Sequence, residues 1–446
     1  MVHRLPISLV VAALPCAIVG PLVAPLHAQA DPVPVRAGAG FANPFAARPD
    51  RLEDRVIATF RVPFDADSLD ATLRLVGARL IETAASGAFA VIGVPNGTVD
   101  AWVAWLEQQS LVVFAEPDYL AYTCETPDDP MFKPFQWNLY DAGTQSGNGV
   151  ANFGIQAMTA WNRNKGAGVI VAIVDTGVAY ESYSSYRRAP DLAGVKFVSP
   201  WDFVANHVHA NDDNGHGTHV CGTICQSTNN ALGCAGIANQ CQIMPVKVLD
   251  KYGSGAYSTI ASGITYAAEK GAKVINLSLG GGSNSKAMQS AVDYAWTKGA
   301  VICAAAGNSG AASLLFPARY KNCISVGATR FDGKRAKYSQ YGSGLDVVAP
   351  GGDTSVDQNG DGQPDGIVQQ TFSGSPTNFG YYFWQGTSMA TPHVTAIAAL
   401  VKSNQPSYTN LQIRNAIQTS CTDLGPPGYD QEYGFGLVNA ALALTK

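Results

Sequence analysis

The sequence predicts an α/β protein with a parallel sheet flanked by helices, preceded by a small α+β unit. Two observations support this fold class. After Tyr122, short apolar runs typical of buried parallel strands alternate with helical stretches of about 10–15 residues, which is the pattern of βαβ units. Between Arg51 and Tyr122, the order of strand-like and helix-like segments differs and suggests a separate unit. The apolar runs after Tyr122 are Val169–Val174, Gln242–Leu249, Lys273–Leu277, Ala300–Ala305, Cys323–Val326 and Asp346–Ala349, and the helical stretches are Thr259–Lys270, Lys286–Lys298 and Met389–Ser403.

The smaller unit is predicted to span residues 51–123 and to have a ferredoxin-like β-α-β-β-α-β order. It contains no His, so we expect no catalysis there. Its predicted strands are Arg55–Val62, Ala88–Val94 and Leu111–Ala115, the last ended by Pro117, and its predicted helices are Ser68–Val76 and Thr98–Gln108.

The composition allows a large buried core and excludes some partners. Hydrophobic residues make up 46% of the chain and charged residues only 14%, which argues against disorder. The net charge is −5 and no long run of Lys or Arg occurs, so the chain lacks the electrostatic footprint of a nucleic-acid-binding protein.

The N-terminus has the pattern of a cleaved export signal. Arg4 is followed by an apolar stretch from Leu5 to Leu26 and by the small-residue site Ala28-Gln29-Ala30. A membrane anchor is one alternative, but four prolines interrupt the apolar stretch and disfavour it. A lipoprotein signal at Cys16 is the other, and it is disfavoured because apolar sequence continues past the cysteine. We therefore expect residues 1–30 to be a signal peptide, residues 31–50 to be a linker, and the product to be secreted, with no membrane attachment after signal removal.

The cysteines leave two interpretations open. Of the nine cysteines, all except Cys16 would remain after export, and an even number in an exported chain permits disulfides. The close spacing of Cys221, Cys225, Cys234 and Cys241 could also suggest a zinc cluster, but their neighbours are apolar and no C-x-x-C pair occurs. The pairing is not deducible, and some of these residues could be buried thiols.

Three polar motifs lie where parallel strands end or helices begin. Asp175 follows the run Val169–Val174, His216 stands between two glycines, and Ser388 precedes an apolar helical stretch. Each motif alone has a simpler explanation: a turn-forming Asp, a metal-binding His or a helix-capping Ser. Together they follow one of the known chain orders of the Ser-His-Asp triad. Pro392, just after Ser388, is expected to lie within the first turn of that helix.

These motifs resemble the signature blocks of subtilisin-like serine proteases. The blocks are Val171–Gly177, His216-Gly217-Thr218-His219 and Gly386–His393, and Ser278–Gly281 with Ala305–Asn308 resemble two further family segments. The resemblance covers nearly all of residues 125–446 and is closest to the thermitase branch.

The resemblance implies a peptidase domain over residues 124–446, with a parallel sheet of the seven-stranded type. In this family, Ser388 would be the nucleophile, His216 its general base and Asp175 the residue that orients His216. Asn308, together with the backbone N–H of Ser388, would form the oxyanion hole. His219 and His393 are expected to be packed helix residues without a catalytic role.

The family resemblance also assigns substrate-binding segments. Gly253-Ser254-Gly255 and Ser278-Leu279-Gly280 would hold an extended polypeptide between them by backbone hydrogen bonds, which gives broad specificity. One side-chain pocket would be lined by Ser278–Gly280 and by Ala305 to Gly307, with Leu315 near its base. Because these segments carry no charge, we expect an apolar or aromatic residue before the cleaved bond, although Leu315 could narrow the pocket.

Calcium is the predicted cofactor, at two places. One is predicted from spacing: oxygen-bearing residues recur at every second position from Asp357 to Asp365, with Gly at the sixth, like the first part of an EF-hand loop. Val368 stands where that loop has its Glu, so a complete EF-hand is excluded; a solvated turn is the alternative. The candidate ligands of this loop are Asp357, Asn359, Asp361, Gln363 and Asp365.

The second calcium site is implied by the family resemblance alone. It would combine side-chain oxygens from three residues with backbone carbonyls from three others. The side chains are those of Asp129, Asp191 and Asn230, and the carbonyls those of Ser227, Leu232 and Cys234.

Residues 51–123 resemble the family's propeptide, including the ending Glu116-Pro117-Asp118-Tyr119. The resemblance implies that this unit assists folding, inhibits the enzyme and is removed by self-cleavage between about Tyr122 and Glu125. We expect the enzyme to be a monomer.

Three other functions were considered. A catalytically dead binding protein is disfavoured because no triad or oxyanion residue is missing. A serine carboxyl peptidase is disfavoured because it would have a carboxylate in place of His216. An exopeptidase is disfavoured because no added domain would block the cleft.

Overall fold

The structure, a computed structural model, describes residues 51–61, 66–84, 89–109, 111–119, 126–140 and 149–446. These residues fall into two compact units, one containing the described part of 51–119 and the other that of 126–446. The predicted signal peptide, the linker, the boundary at residues 123–124 and the cleavage region lie outside the described residues. Within the described residues, no helix combines the length and apolar character needed to cross a membrane.

The first unit has the predicted ferredoxin-like arrangement. Its antiparallel sheet has the strand order β2-β3-β1-β4, and Val56, Ile92 and Leu106 are among the residues of its core. The prediction that Pro117 ends the last strand is wrong: β4 continues to Tyr119, because an edge strand has a side with no hydrogen-bonding neighbour, where the missing N–H is tolerated. The elements are β1 (Arg51–Phe60), α1 (Ala66–Leu75), β2 (Arg79–Thr83), β3 (Phe89–Gly93), α2 (Val99–Glu107) and β4 (Val112–Tyr119).

The second unit alternates strands and helices, as predicted. Its helices are α3 (Phe132–Phe135), α4 (Ala157–Trp161), α5 (His216–Cys225), α6 (Tyr257–Glu269), α7 (Lys286–Thr297), α8 (Thr387–Asn404), α9 (Asn410–Thr419) and α10 (Ala440–Ala443). Its strands are β5 (Ile170–Asp175), β6 (Lys196–Phe197), β7 (Trp201–Asp202), β8 (Gln242–Lys247), β9 (Val274–Leu277), β10 (Val301–Ala305), β11 (Ile324–Thr329), β12 (Val347–Pro350), β13 (Ile367–Phe372) and β14 (Phe379–Trp384).

The central sheet is parallel and covered on both faces. Its order is β12-β11-β10-β9-β5-β8-β6, seven strands, with β7 also pairing with β8. Alternate residues of β5 enter different cores: Ile173 packs with residues of α5 and α8, whereas Val174 packs with residues of α6 and α7. Burial on both faces explains why these strands are apolar throughout instead of alternating, and the predicted fold class is confirmed.

The sequence prediction missed the antiparallel hairpin of β13 and β14. The two strands pair from Ile367 opposite Trp384 to Phe372 opposite Phe379. Gln369, Gln370 and Thr371 are buried in the middle of β13 and interrupt the continuous apolar run that was used to find the other strands. The hairpin leads directly into α8 and therefore positions the residues that precede Ser388.

The cysteines of the described residues form no disulfide. Six are buried thiols and Cys421 is partly buried; Cys124 lies outside the described residues. The expectation of disulfides is thus not met among these residues: even Cys225, whose Sγ lies 3.4 Å from the carbonyl of Cys241, stays a thiol, and the buried cysteines pack as small hydrophobic groups of the apolar cores. Burial raises the pKa of several of these thiols, Cys303 among them to about 12, which keeps them protonated.

Candidate active site

Several of the candidate site residues lie at the ends of adjacent strands. Strands β10, β9 and β5 are neighbours, and they end at Ala305, Leu277 and Asp175. The carboxyl ends of parallel strands meet at one edge, where sites form in folds of this class. Asp175 is the last residue of β5, Ser278 follows β9 directly, and Asn308 lies shortly after β10. All three therefore lie at the same edge of the sheet.

Asp175 and His216 form a direct hydrogen bond. His216 Nδ1 lies 2.7 Å from Asp175 Oδ1, and because a carboxylate only accepts, Nδ1 carries the proton. Asp175 is fully buried, whereas a quarter of the His216 side chain is exposed. This tautomer leaves His216 Nε2 free to accept a proton at the exposed side of the ring.

The environment of His216 favours its protonated form. Burial alone would lower its pKa, but the charge of Asp175 and the hydrogen bond to it outweigh that effect, with a smaller contribution from Asp212. The pKa of His216 is therefore raised above the ordinary 6.5. An imidazole with this pKa is a stronger base, as the removal of a hydroxyl proton requires.

Asp212 is a buried carboxylate that the sequence prediction did not use, and it helps to position both Asp175 and His216. Its Oδ1 accepts hydrogen bonds from Thr176 Oγ1 (2.9 Å) and Gly215 N (3.0 Å), and its Oδ2 accepts from Thr218 N (2.9 Å). Thr176 follows Asp175 directly, and Gly215 precedes His216. Asp212 therefore ties the end of β5 to the start of α5.

Ser388 is the second residue of α8. Pro392 is the sixth, so the expectation that it lies in the first turn is wrong. Without an N–H, Pro392 leaves the carbonyl of Ser388, four residues earlier, without its helical donor. The hydroxyl of Ser278 supplies one instead, at 2.8 Å, which is why a proline is accommodated at this position.

The Ser388 hydroxyl has a single hydrogen bond in the described structure, to the carbonyl of Ser278 at 3.1 Å. No hydrogen bond joins it to His216 there. The two residues are nevertheless brought to the same region, because α5 and α8 pack together and the ring of Trp384, four residues before Ser388, lies 6.4 Å from that of His216. A rotation about the Cα–Cβ bond of Ser388 is the change that redirects its hydroxyl.

Asn308 and the backbone nitrogen of Ser388 both lie close to Gly386. Asn308 Oδ1 accepts from Thr387 N at 2.8 Å and Thr387 Oγ1 at 2.9 Å, which fixes the amide and leaves Nδ2 facing away. A Cβ on Gly386 would lie 3.5 Å from Asn308 Nδ2 and 3.6 Å from Ser388 N. Two converging donors next to an absent side chain are what an oxyanion hole requires.

His219 and His393 are packed side chains. His219 donates from Nε2 to the carbonyls of Ile367 (3.0 Å) and Tyr382 (3.2 Å), and its ring stacks on Trp384 at 4.7 Å. Burial lowers the pKa of His219 to about 3 and that of His393 to about 4, so both are neutral. Trp384 thus lies against His219 and close to His216, a role that the sequence did not reveal.

Leu315 contacts both segments that were predicted to line the side-chain pocket. Leu315 donates its N–H to Ala306 O, and its side chain would lie 3.0 Å from a Cβ on Gly280 and 2.8 Å from one on Gly307. Leu315 therefore lies between Gly280 and Gly307; that Ser278–Gly280 and Ala305–Gly307 line a substrate pocket stays a prediction. Gly253-Ser254-Gly255 is an exposed turn held by Asp250; its pairing with Ser278-Leu279-Gly280 across a bound chain stays a prediction.

The residues of the family-type calcium site are also adjacent. Asn230 Nδ2 donates to Asp191 Oδ1 at 2.9 Å, Cys234 N donates to Asp191 Oδ2 at 3.0 Å, and Ser227 N bonds the Asp191 carbonyl. Asp129 accepts from Asn230 N at 3.4 Å, and Leu232 N donates to Asn230 Oδ1.

Two buried carboxylates of like charge thus approach one another at this place. Burial raises the pKa of Asp191 to about 6, the charge of Asp129 adds to the rise, and burial likewise raises the pKa of Asp129. A divalent cation would relieve both penalties, so these residues fit calcium.

No group of three or more His, Cys, Asp or Glu side chains in the described residues is arranged to hold a metal by itself. A calcium site does not need three acidic side chains, because amide and backbone oxygens commonly complete its coordination. Whether calcium fits a site is therefore judged from the surroundings of each carboxylate. In the Asp357–Asp365 loop, Asp365 is the buried one, and burial with the charges of Asp357 and Asp361 raises its pKa to about 7.

Comparisons with known proteins identify the family. A sequence profile of the subtilase family matches residues 166–436, and one of the fervidolysin N-terminal prodomain matches residues 43–118. The chain belongs to the subtilase family of serine proteases and carries an N-terminal prodomain.

Several relatives resemble most of the chain. The thermophilic serine proteinase of Bacillus sp. strain AK1 is 36% identical, with 88% of each chain covered. Thermitase of Thermoactinomyces vulgaris is 41% identical over 72% of this chain and 99% of its own. Among solved structures, a protease from Pseudoalteromonas arctica is 34% identical, with a TM-score of 0.62, and the match covers 72% of this chain and 99% of that one. The placement near the thermitase branch is confirmed.

Replacing Asn308 tests the oxyanion space. Asn308→Ala removes the Nδ2 donor, and loss of one such donor costs about 2.7–4 kcal/mol of barrier, or about 10²–10³ in kcat. We expect this loss with little change in KM, measured on a peptide substrate. Ser309→Ala, at the exposed neighbouring position, is the control and should keep normal turnover. An Asn308→Ala enzyme with full kcat would exclude Asn308 from the mechanism.

Proposed function

We propose that this chain is a secreted serine endopeptidase that hydrolyses peptide bonds through an acyl-enzyme, with Ser388, His216 and Asp175 as its triad. The observation that carries the proposal is the 2.7 Å hydrogen bond from His216 Nδ1 to the buried Asp175, which leaves Nε2 as the ring nitrogen that can accept a proton. The family membership, the placement of Ser388 at the start of α8 and the two donors beside Gly386 support it.

The chemistry follows from these positions. The Ser388 hydroxyl turns from the Ser278 carbonyl toward the substrate, and its oxygen attacks the scissile carbonyl while His216 Nε2 accepts its proton. Asn308 Nδ2 and Ser388 N stabilise the negative charge that develops on the carbonyl oxygen. His216 then protonates the leaving amine, and a water, deprotonated by the same Nε2, hydrolyses the acyl-enzyme and restores Ser388.

Substrates are polypeptides in an extended conformation. Backbone pairing along the Gly253–Gly255 and Ser278–Gly280 segments would give affinity with little sequence preference. Selectivity would come from the space bounded by Gly280, Gly307 and Leu315, where no charged side chain occurs; apolar and aromatic residues before the cleaved bond are favoured. The Leu315 side chain limits the depth of this space.

The prodomain is proposed to act as an intramolecular inhibitor that is removed by self-cleavage between about Tyr122 and Glu125, after export directed by residues 1–30. The match of residues 43–118 to the fervidolysin N-terminal prodomain supports the inhibitory role. The sequence pattern of the N-terminus supports export. The mature enzyme is proposed to be a monomer.

Calcium is proposed to occupy the site of Asp129 and Asp191. Side-chain oxygens of these two residues and of Asn230, with the carbonyls of Ser227, Leu232 and Cys234, would hold it. The ion would supply the positive charge that two buried carboxylates need, and so would stabilise the fold without entering the reaction.

A Ser388→Ala variant tests both catalysis and self-processing. Without the hydroxyl no acyl-enzyme forms, so we expect no hydrolysis of a chromogenic peptide and accumulation of the uncut precursor. Edman sequencing of the wild-type product would locate the mature N-terminus, and a serine-directed inhibitor should abolish its activity. Efficient cutting of the purified variant would show that another protease is responsible, and a wild-type protein inert to all peptides would favour a binding protein.

The pKa of His216 predicts the acid side of the pH profile. His216 must be neutral to accept the Ser388 proton, so activity is lost as pH falls through its pKa in the free enzyme. Because Asp175 raises this pKa, the acid inflection of kcat/KM should lie above the ordinary imidazole value of 6.5. An inflection at or below 6.5 would contradict the described environment of His216.

Removal of calcium should lower the unfolding temperature of the mature enzyme. A ligand at 100 times its Kd stabilises the folded state by about 2.7 kcal/mol, and a chelator cancels this term. Inhibited enzyme, unable to digest itself, is scanned with and without EGTA, and Asp191→Asn should reduce the effect of the chelator. Glu269→Gln, an exposed change on α6, is the control. Identical melting curves with and without EGTA would count against calcium.

A further inference from the structure

The segment between β12 and β13, residues 351–366, has no role in the mechanism above. Its acidic part is folded around one carboxylate: Asp357 Oδ1 accepts from Gly360 N at 2.8 Å, and Asp357 Oδ2 accepts from Gly362 N at 3.1 Å. Asp357 is exposed, so this turn alone would be compatible with a solvated loop.

Asp365, at the far end of the same turn, is not compatible with a solvated loop. Only 1% of the residue is exposed, and while its Oδ2 accepts from Gln358 N at 2.6 Å, its Oδ1 is buried without a hydrogen-bond partner in the described structure. The charges of Asp357 and Asp361 act on it with the same sign. A buried carboxylate oxygen without a donor, next to two more carboxylates, is a position for a cation.

The other end of the segment is attached to the residues that precede the nucleophile. Thr354 donates from N (2.6 Å) and from Oγ1 (3.0 Å) to Gln385 Oε1, and Gly386 N donates to Gly351 O at 3.0 Å. Asp353 N bonds the Asp365 carbonyl at 2.9 Å and so joins the two ends.

This attachment matters because of where Gly386 lies. The space beside it is the one on which Asn308 Nδ2 and Ser388 N converge. A shift of Gly386 moves the Ser388 N–H relative to Asn308, and misplacement of catalytic groups by about 1 Å can cost about 10²-fold in rate. The 351–366 segment therefore connects the buried Asp365 to the oxyanion space.

We propose that the Asp357–Asp365 loop binds a calcium ion, with Asp365 Oδ1 as the buried ligand, and that this ion fixes Gln385 and Gly386 and thereby the Ser388 N–H. Asp357, Asn359, Asp361 and Gln363 provide the other oxygens of this chain. Calcium is the occupant because it accepts many oxygen ligands in irregular loops, whereas Mg²⁺ demands near-octahedral geometry. The coupling rests on the proposed peptidase function; the ion site does not.

Binding is tested on the full chain carrying Ser388→Ala, which cannot digest itself. Isothermal titration with CaCl₂ is compared for this protein and for versions that also carry Asp365→Asn, the exposed Asp357→Asn, Asp191→Asn or the control Glu269→Gln. We expect each loop variant to weaken one site by about tenfold or more through the lost ligand charge. Asp191→Asn should affect a different site, and Glu269→Gln neither.

Hydrogen exchange tests the connection. Calcium should protect the amides of 351–366 and of Gly386 in the Ser388→Ala protein, and Asp357→Asn should remove this protection at the same calcium concentration. Unchanged titrations in both loop variants, or Mg²⁺ binding in preference to Ca²⁺, would overturn the calcium site. Calcium binding that leaves Gly386 exchange unaltered would overturn the coupling.

Kinetics of the catalytically intact enzyme complete the test. At limiting calcium, Asp357→Asn should lower kcat several-fold with little change in KM, and excess calcium should restore it. Gln385→Ala should keep the ion in titrations yet lose the dependence of kcat on it. A kcat in Asp357→Asn that is equal to wild type at every calcium level would overturn the coupling. If the wild type hydrolyses no peptide, the proposed function fails, while the titrations still decide the ion site.

Discussion

Ser278 and Ser388 exchange two hydrogen bonds, and the geometry of the active site depends on this pair. The Ser278 hydroxyl donates to the Ser388 carbonyl, and the Ser388 hydroxyl donates to the Ser278 carbonyl. The first bond replaces the backbone donor that Pro392 lacks, so the helix tolerates the proline. The same bond joins the start of α8 to the end of β9. The second bond holds the Ser388 hydroxyl against the carbonyl that follows β9.

The opposite half of the site depends on the buried carboxylate of Asp212. Burial of this carboxylate raises its pKa and is costly by itself, but bonds from two threonine hydroxyls and from backbone N–H groups offset the cost. Close backbone contacts make the arrangement possible: a Cβ on Gly217 would lie 2.0 Å from the carbonyl of Gly177. Glycine at 217 is therefore required for β5 and α5 to approach closely enough for the bond between Asp175 and His216.

Much of the fold could be predicted from the pattern of residues, and the failures have physical causes. Parallel strands such as β5 and β8 were located because both of their faces are buried, which makes them apolar throughout. β13 was missed because Gln369, Gln370 and Thr371 interrupt its apolar run although all three are buried; Gln370, for example, donates to Tyr381 of the neighbouring strand β14. The end of β4 was misplaced because tolerance of Pro117 depends on which strand is at the sheet edge.

The sequence by itself determined the types of side chain in the site, since Asp175, His216, Asn308 and Ser388 stand in motifs tied to the ends of strands and the starts of helices. Only the tertiary structure decided what these residues meet: the Asp212 cluster between β5 and α5, the ring of Trp384 beside His216, and the burial of Asp365 at the end of a segment that reaches Gly386. The physical reason is that a motif records local geometry, whereas burial, charge and hydrogen-bond partners are set by elements far apart in the chain.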